Sequence, residues 1–278
     1  MSYKRLMMKD LSVSIITALL FLVYLTISLS SCNRGIPLVV PLSVNRLESP
    51  EISQGISNLS VGLAFNDLNN ITLANNLYDS YPILDTVTFD DTSIPVPSLF
   101  ISLPLFPRFE FILDTNYGII FRYQLLGNSR ANRTTGALTS AISIGYGFYD
   151  SGIIDYDQFY YNSNIDSVSY NWSYNTVNTG LTFGKRIRKN VLIYGGPFYS
   201  SHNFSGDLNQ YFESDIINNF NMANEITQSG FGLGFEFNFN EMNSEQSILY
   251  NVTFTTTSWD ANTSQIQVNH GFVVRYYF

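Results

Sequence analysis

The chain offers little for catalysis to work with. It has two histidines and one cysteine. His202 is followed closely by Asp207, Glu213 and Asp215, and a histidine beside carboxylates can serve as a general base with its orienting acid. Here it sits in a stretch rich in Asn and Ser, where nothing fixes its geometry. No glycine-rich phosphate loop follows a strand, no His/Cys set has metal-ligand spacing, and no nucleophile elbow is present. Four other charges fall at regular places. Glu110, Arg122, Glu236 and Arg275 each take the small or polar phase of an alternating segment. In a confined interior such groups pair, because an isolated charge is costly where solvation is restricted. The expectation is an internal ion-pair network, no catalytic site, no metal and no cofactor. Its alternative is an open channel in which water solvates those charges.

The elements that carry these residues alternate with a period of two, the mark of strands with one apolar face. In residues 230 to 240, Phe231, Leu233, Phe235, Phe237 and Phe239 lie opposite Gly230, Gly232, Gly234, Glu236, Asn238 and Asn240. Leu59 to Asn66, Tyr117 to Leu125, Leu138 to Phe148, Val177 to Gly184 and Ile248 to Thr255 repeat the pattern. Weaker runs cover 98–103, 109–115 and 191–201. With the last nine residues, these make about ten strands, each near the ~9–11 residues a tilted membrane-spanning strand requires. After residue 31 no apolar run is long enough for a membrane helix. The 22 Phe and 19 Tyr suit aromatic girdles. A soluble β-sandwich shows the same alternation and is the main competing fold.

The ends of the chain carry the resemblances. Phe272, Val274, Tyr276 and Phe278 share one face of a strand that ends on an aromatic. This resembles the C-terminal assembly signal of bacterial outer-membrane β-barrels, the class of small barrels with displayed loops. The resemblance implies recognition by the barrel-assembly machinery. At the other end, Lys4, Arg5 and Lys9 precede an apolar run from Leu11 to Leu29, and Leu29-Ser30-Ser31-Cys32 follows. A charged start, an apolar middle and small residues before a cut mark a secretory signal. The ending resembles the lipobox of bacterial lipoproteins, which implies a lipidated Cys32. A plain signal peptide and an uncleaved anchor are the other readings. The domains expected are therefore a signal peptide over 1–31, a lipidated Cys32 with a flexible periplasmic tether over 32–55, and a barrel over 56–278. Pro37, Pro41 and Pro50 and the lack of a period point to the tether.

The fold class expected is all-β: a closed antiparallel up-and-down transmembrane β-barrel of about ten strands, with eight or twelve as the alternatives. Parity supports ten. With the first strand running outward, the long connections 67–97, 150–173 and 202–226 all fall on one side, and the short turns 104–108, 127–135, 186–189 and 241–246 on the other. Long extracellular loops, short periplasmic turns and an even strand number are the rule for bacterial barrels. Both termini are then periplasmic. The long connections hold most of the acids, and the short turns hold Arg108, Arg130, Arg133, Arg186, Arg188 and Lys189. The acids suggest solubility, or cation bridging to lipopolysaccharide. The basic turns suggest headgroup contact or simple solvation. A net charge of −8 gives no reason to expect nucleic acid as a partner, since that needs a basic face. The functional expectation is a Gram-negative outer-membrane barrel with a structural or surface-interaction role. A narrow, porin-like channel for ions or small solutes is the alternative. An outer-membrane enzyme using His202 and nearby acids is the third reading. Outer-membrane lipids and lipopolysaccharide are the expected partners.

Overall fold

The structure is a computed structural model. It describes residues 38–43, 48–52, 59–74, 88–157, 165, 167–213, 215–241, 244–259 and 263–278. The expected signal peptide and Cys32 lie outside these. The strands in chain order are β1 (Leu38–Ser43), β2 (Ser60–Ala74), β3 (Thr88–Phe106), β4 (Phe109–Asp114), β5 (Gly118–Leu126), β6 (Leu138–Asp150), β7 (Ile154–Asp157), β8 (Ser167–Arg188), β9 (Val191–Phe212), β10 (Asp215–Glu241), β11 (Ser244–Trp259) and β12 (Thr263–Tyr277). Among the described residues, ten of them form a closed ring in which each strand pairs with the next, and β12 pairs with β2. Every pairing is antiparallel, and the closing seam runs from Tyr277↔Ser60 to Gly271↔Asn66. This is the ten-stranded up-and-down barrel expected from parity. A closed ring leaves no long free edge, which open sheets must otherwise protect.

The alternating side chains sort as the period of two requires. Leu99, Phe121, Ile144, Phe183, Phe235 and Phe254 point outward and are exposed, with many others, in a belt around the wall. Such an exposed apolar surface far exceeds what a soluble monomer shows. It is the wall that a hydrocarbon environment demands, since a closed barrel satisfies every backbone group without water. The inward face is not hollow. Phe100, Ile112, Leu192, Tyr194, Leu249 and Val273 are buried together inside the ring. The inward glycines make room for these rings. A Cβ at Gly234 would collide with the ring of Tyr194, so glycine lets the aromatic lie across the lumen.

One end, here called proximal, holds Ser60, Phe278 and the short turns. The other, distal end differs from expectation. The stretches 150–173 and 202–226 were expected as loops, yet most of their residues continue the ladder. β8 begins at Ser167, β9 runs to Phe212 and β10 starts at Asp215. Glu213, in a left-handed conformation (φ 49°), turns the chain. The long strands thus rise as a sheet beyond the apolar belt. Asn and Ser are poor strand formers, so composition hid this extension, whereas cross-strand pairing from Asn175↔Asn203 to Ser167↔Tyr211 enforces it. At the proximal end, Pro104 was expected in a turn but lies in β3, paired with Glu110. The turn itself uses Pro107 and Arg108, the latter with φ 70°.

The stretch 32–55, expected as a flexible tether, needs correction in the part described. Residues 48–52 are buried inside the barrel, with Ser49 and Ile52 at 0% exposure. β1 pairs with the distal half of β2, Leu38↔Ala74 to Ser43↔Leu68.

Candidate functional site: a luminal segment held by arginines

Among the described residues, the proximal half of the lumen contains three ionic clusters, and two of them pair with carboxylates of the segment Glu48–Ile52. The first is built on β4, β5 and β12. Glu110 and Arg122 stand directly opposite each other in the β4–β5 register and form a buried ion pair. Ser102 of β3 donates its hydroxyl to Glu110. Arg275 lies 4.0 Å from Glu110 and stacks over Phe100, 4.7 Å from the ring centre. Glu48 completes the cluster, accepting from Arg275 at 3.0 Å and lying 3.7 Å from Arg122. Two arginines and two carboxylates thus neutralise each other, with Arg122, Arg275 and Glu110 at 1% exposure.

The second cluster is Arg186 of β8 against Glu51. The guanidinium meets both carboxylate oxygens, with Nε to Oε1 at 2.8 Å, the two-pronged geometry that suits this pair. Arg186 also donates to the Lys189 carbonyl at 2.8 Å. The backbone of the segment is fixed as well. Ile52 N–H donates to Gln124 Oε1 at 3.2 Å, Arg130 N–H donates to the Ile52 carbonyl at 3.0 Å, and Thr139 donates its hydroxyl to the Pro50 carbonyl at 3.3 Å. The third cluster lies beside it. Arg130, in the short 3₁₀ turn Arg130–Asn132, pairs with Glu236, donates to Asn238 Oδ1 at 2.7 Å and lies over the Tyr277 ring at 4.5 Å. Arg133 pairs with Glu245 at 2.6 Å.

Of the four charges singled out by alternation, Glu110, Arg122 and Arg275 meet in one cluster, while Glu236 belongs to another. Glu48, Glu51, Arg130, Arg133 and Arg186 were not among them. The basic turns were expected at headgroups or in solvent. Arg130, Arg133 and Arg186 instead reach inward to carboxylates, because burial near Glu236, Glu245 and Glu51 leaves them no better partner. Within the terminal strand, Phe272, Val274 and Phe278 are exposed outward, and Tyr276 packs edge-on to Phe278 at 4.9 Å.

His202 lies not in a loop but on β9, facing inward above the apolar belt, where the outward residues have turned polar at Ser201 and Asn203. Its ring is fully buried between Thr176 (Nδ1 to Oγ1, 2.7 Å) and Gln228 (Nε2 to Oε1, 3.1 Å). Gln228 donates on to Thr257 at 3.5 Å, and Thr257 to Gln267 at 3.2 Å. One polar side chain from each of five strands therefore forms a belt around the inner wall. Asp207, proposed as its acid, is exposed on the opposite face of β9. Burial pushes the His202 pKa down to about 4, against a smaller raising effect of the Gln228 hydrogen bond, so the ring is neutral at neutral pH. The unfolded chain takes up a proton below its ordinary value of 6.5 that the folded ring refuses. Stability should therefore fall as pH drops from 6.5 toward 4, by up to about 1.4 kcal/mol per pH unit from this group. Urea midpoints in detergent across that range should show a flatter slope for His202→Gln. Equal slopes would refute the buried neutral ring.

His270 points outward from β12, hydrogen-bonded to the Tyr250 hydroxyl at 2.8 Å. Among the described residues, no group of three or more His, Cys, Asp or Glu is placed to hold a metal ion.

No protein-family model matches the chain, and no curated protein matches its sequence. Among solved structures, it is similar to Ail, the attachment invasion locus protein of Yersinia pestis, at 13% identity and TM-score 0.30, over 81% of this chain and 98% of that one. It is similar to the outer membrane protease OmpT from Escherichia coli at 10% identity and TM-score 0.33, over 82% and 98%. The Pseudomonas putida toluene transporter TodX gives 10% identity and TM-score 0.21, over 80% and 89%. At these scores no role passes from those proteins to this one. By its own ring of strands, apolar outside and charged within, the chain is a closed, antiparallel, up-and-down transmembrane β-barrel.

Proposed function

We propose that this chain is a bacterial outer-membrane barrel, closed to diffusion by its own segment Glu48–Ile52, with a surface-interaction role and no catalysis. The burial of that segment among Arg122, Arg186 and Arg275 carries the reading. A ten-stranded ring is already narrow compared with the 16–18-stranded porins. Five residues of chain, aromatic rings and paired charges occupy its proximal half, which is the support for a lumen closed to diffusion. In this reading the proximal end, with Phe278, faces the periplasm. The terminal strand is what the assembly machinery reads, Cys32 is the lipidated first residue, and the belt faces lipid and lipopolysaccharide. The distal extension of β8, β9 and β10 is the part displayed outside the cell. Against an enzyme, His202 is paired to neutral groups.

The protein is expected to fractionate with outer membranes, to extract only with detergent, and to migrate differently on gels before and after heating. In planar bilayers it should pass no steady current. A large, stable wild-type conductance would replace this reading with the channel alternative. Extraction without detergent, with no mobility shift, would remove the outer-membrane placement.

A further inference from the structure

The outward face of β8, β9 and β10 above the belt is a regular grid. Reading across the registers, Asn175, Asn203 and Glu225 form one row, and Ser173, Ser205 and Ala223 the next. Asn171, Asp207 and Asn221 follow, then Ser169, Asn209 and Asn219. All are exposed or half-buried. Within the belt, the same phase of the same strands carries Val177, Leu181, Phe183, Ile193, Tyr199, Phe231 and Leu233. Two mixed rows, Thr179–Tyr199–Ser229 and Val177–Ser201–Thr227, lead from the apolar belt to the polar extension.

Solubility alone does not explain the choice of residues. A solvated strand face is best served by Thr and by mixed charges. This one has neither Lys nor Arg and relies on Asn, which strands disfavour. The inner face of the extension is packed solid with Val168, Trp172, Phe204, Leu208 and Ile226, all buried, so the grid is held rigid. The two rows farthest from the belt sink into a depression of about 460 Å³, bordered by Ile153 and Tyr211. That is within the range of ligand pockets, about 300–1,000 Å³.

The chemistry on offer is specific. Each carboxamide carries a donor and an acceptor side by side. Asn219 donates to Asn209 Oδ1 and Asn171 Oδ1 accepts from the Asp207 N–H at 3.2 Å, which leaves the Asn171 and Asn209 amino groups and the Asn219 oxygen for neighbouring sugar hydroxyls. Along each row, neighbouring strands stand about 4.8 Å apart, close to the length of one pyranose ring along a glycan chain. The Tyr211 ring at the border offers an apolar face for sugar C–H groups. Asp207 and Glu225, with no Lys or Arg among the described residues of the grid, and a net charge of −8, repel sulfated or sialylated chains.

We propose that this face is a binding platform for a neutral glycan chain, with Asn171, Asp207, Asn209, Asn219 and Asn221 as its hydrogen-bonding residues. The proposal deepens the surface-interaction reading and rests on it for biological sense, but binding by the detergent-solubilised barrel does not depend on membrane orientation.

The test is an array of neutral, sialylated and sulfated oligosaccharides probed with the full chain in detergent. Neutral glycans should bind, and the signal should fall at least tenfold in Asn171→Lys/Asn209→Lys. Heat-modifiable mobility confirms that this variant still forms a barrel. A milder Asn209→Ala variant should lose a part of the signal. Binding to no neutral glycan, a preference for the anionic ones, or binding unchanged by the substitutions would overturn the proposal. None of these outcomes depends on the conductance result.

Discussion

Deletion of Glu48–Ile52 is expected to turn a silent barrel into one that passes anions. The segment contributes two carboxylates, Glu48 and Glu51, to a lumen whose wall supplies Arg122, Arg186 and Arg275 beside them. Removing the segment leaves Arg186 without the carboxylate that meets its two prongs, and leaves Glu110 to balance both Arg122 and Arg275. The exposed constriction is then net positive, and a charged, low-dielectric constriction concentrates ions of the opposite sign. Planar-bilayer recordings should show a current absent from wild type, with the reversal potential under a salt gradient displaced toward that of chloride. Since a deletion can disturb assembly, Glu48→Ala/Glu51→Ala serves as a second variant. It keeps the chain length and should loosen the segment by removing the charges that hold it. If neither variant conducts while both run as folded barrels, the seal is made by Tyr194, Phe100 and their neighbours, and the segment is not the plug.

Much of the wall was legible in the sequence, for a local reason. In a barrel each strand sees lipid on one side and lumen on the other, so a period of two recurs wherever a strand spans. Glu110 and Arg122 could be picked out because both fall on the small-residue phase of strands that are also neighbours. The plug gave no such signal. A segment inside a barrel has no ladder to keep it alternating, and Pro50 and the lack of a period in 33–55 read as a linker. Its partners are remote as well, with Glu51 meeting Arg186, 135 positions away. Arg130, Arg133 and Arg186 depart from the rule that a basic residue in a turn faces water, because buried carboxylates nearby reverse that preference. The extension is hidden for a third reason. Asn and Ser weaken strand propensity, yet the inward Trp172, Tyr174, Phe204 and Leu208 alternate through it. That inner period was present in the sequence and would have marked the strands.

Replacing Arg275 is expected to be the most destabilising single change in the lumen. The side chain is 1% exposed and serves Glu48 and Glu110 together, with its guanidinium over Phe100. In Arg275→Met the volume is roughly kept, but Glu48 and Glu110 then share Arg122, and this cluster carries one excess buried negative charge. Breaking a buried pair in this way typically costs about 3–5 kcal/mol, while deleting both partners is far cheaper. The urea midpoint in detergent should therefore drop sharply for Arg275→Met and recover most of the loss in Arg275→Met/Glu48→Gln, which is again neutral overall. Glu48→Gln alone leaves Arg275 and Arg122 facing only Glu110, so it too should destabilise, and the cycle should show strong coupling between residues 48 and 275. A loss below about 1 kcal/mol for the single Arg275 change would place this pair in the range of solvated surface bridges. The lumen would then contain enough water at this level to screen the pair, and water at that depth is incompatible with a sealed proximal half. The stability cycle and the conductance of the plug variants thus bear on the same question from independent sides.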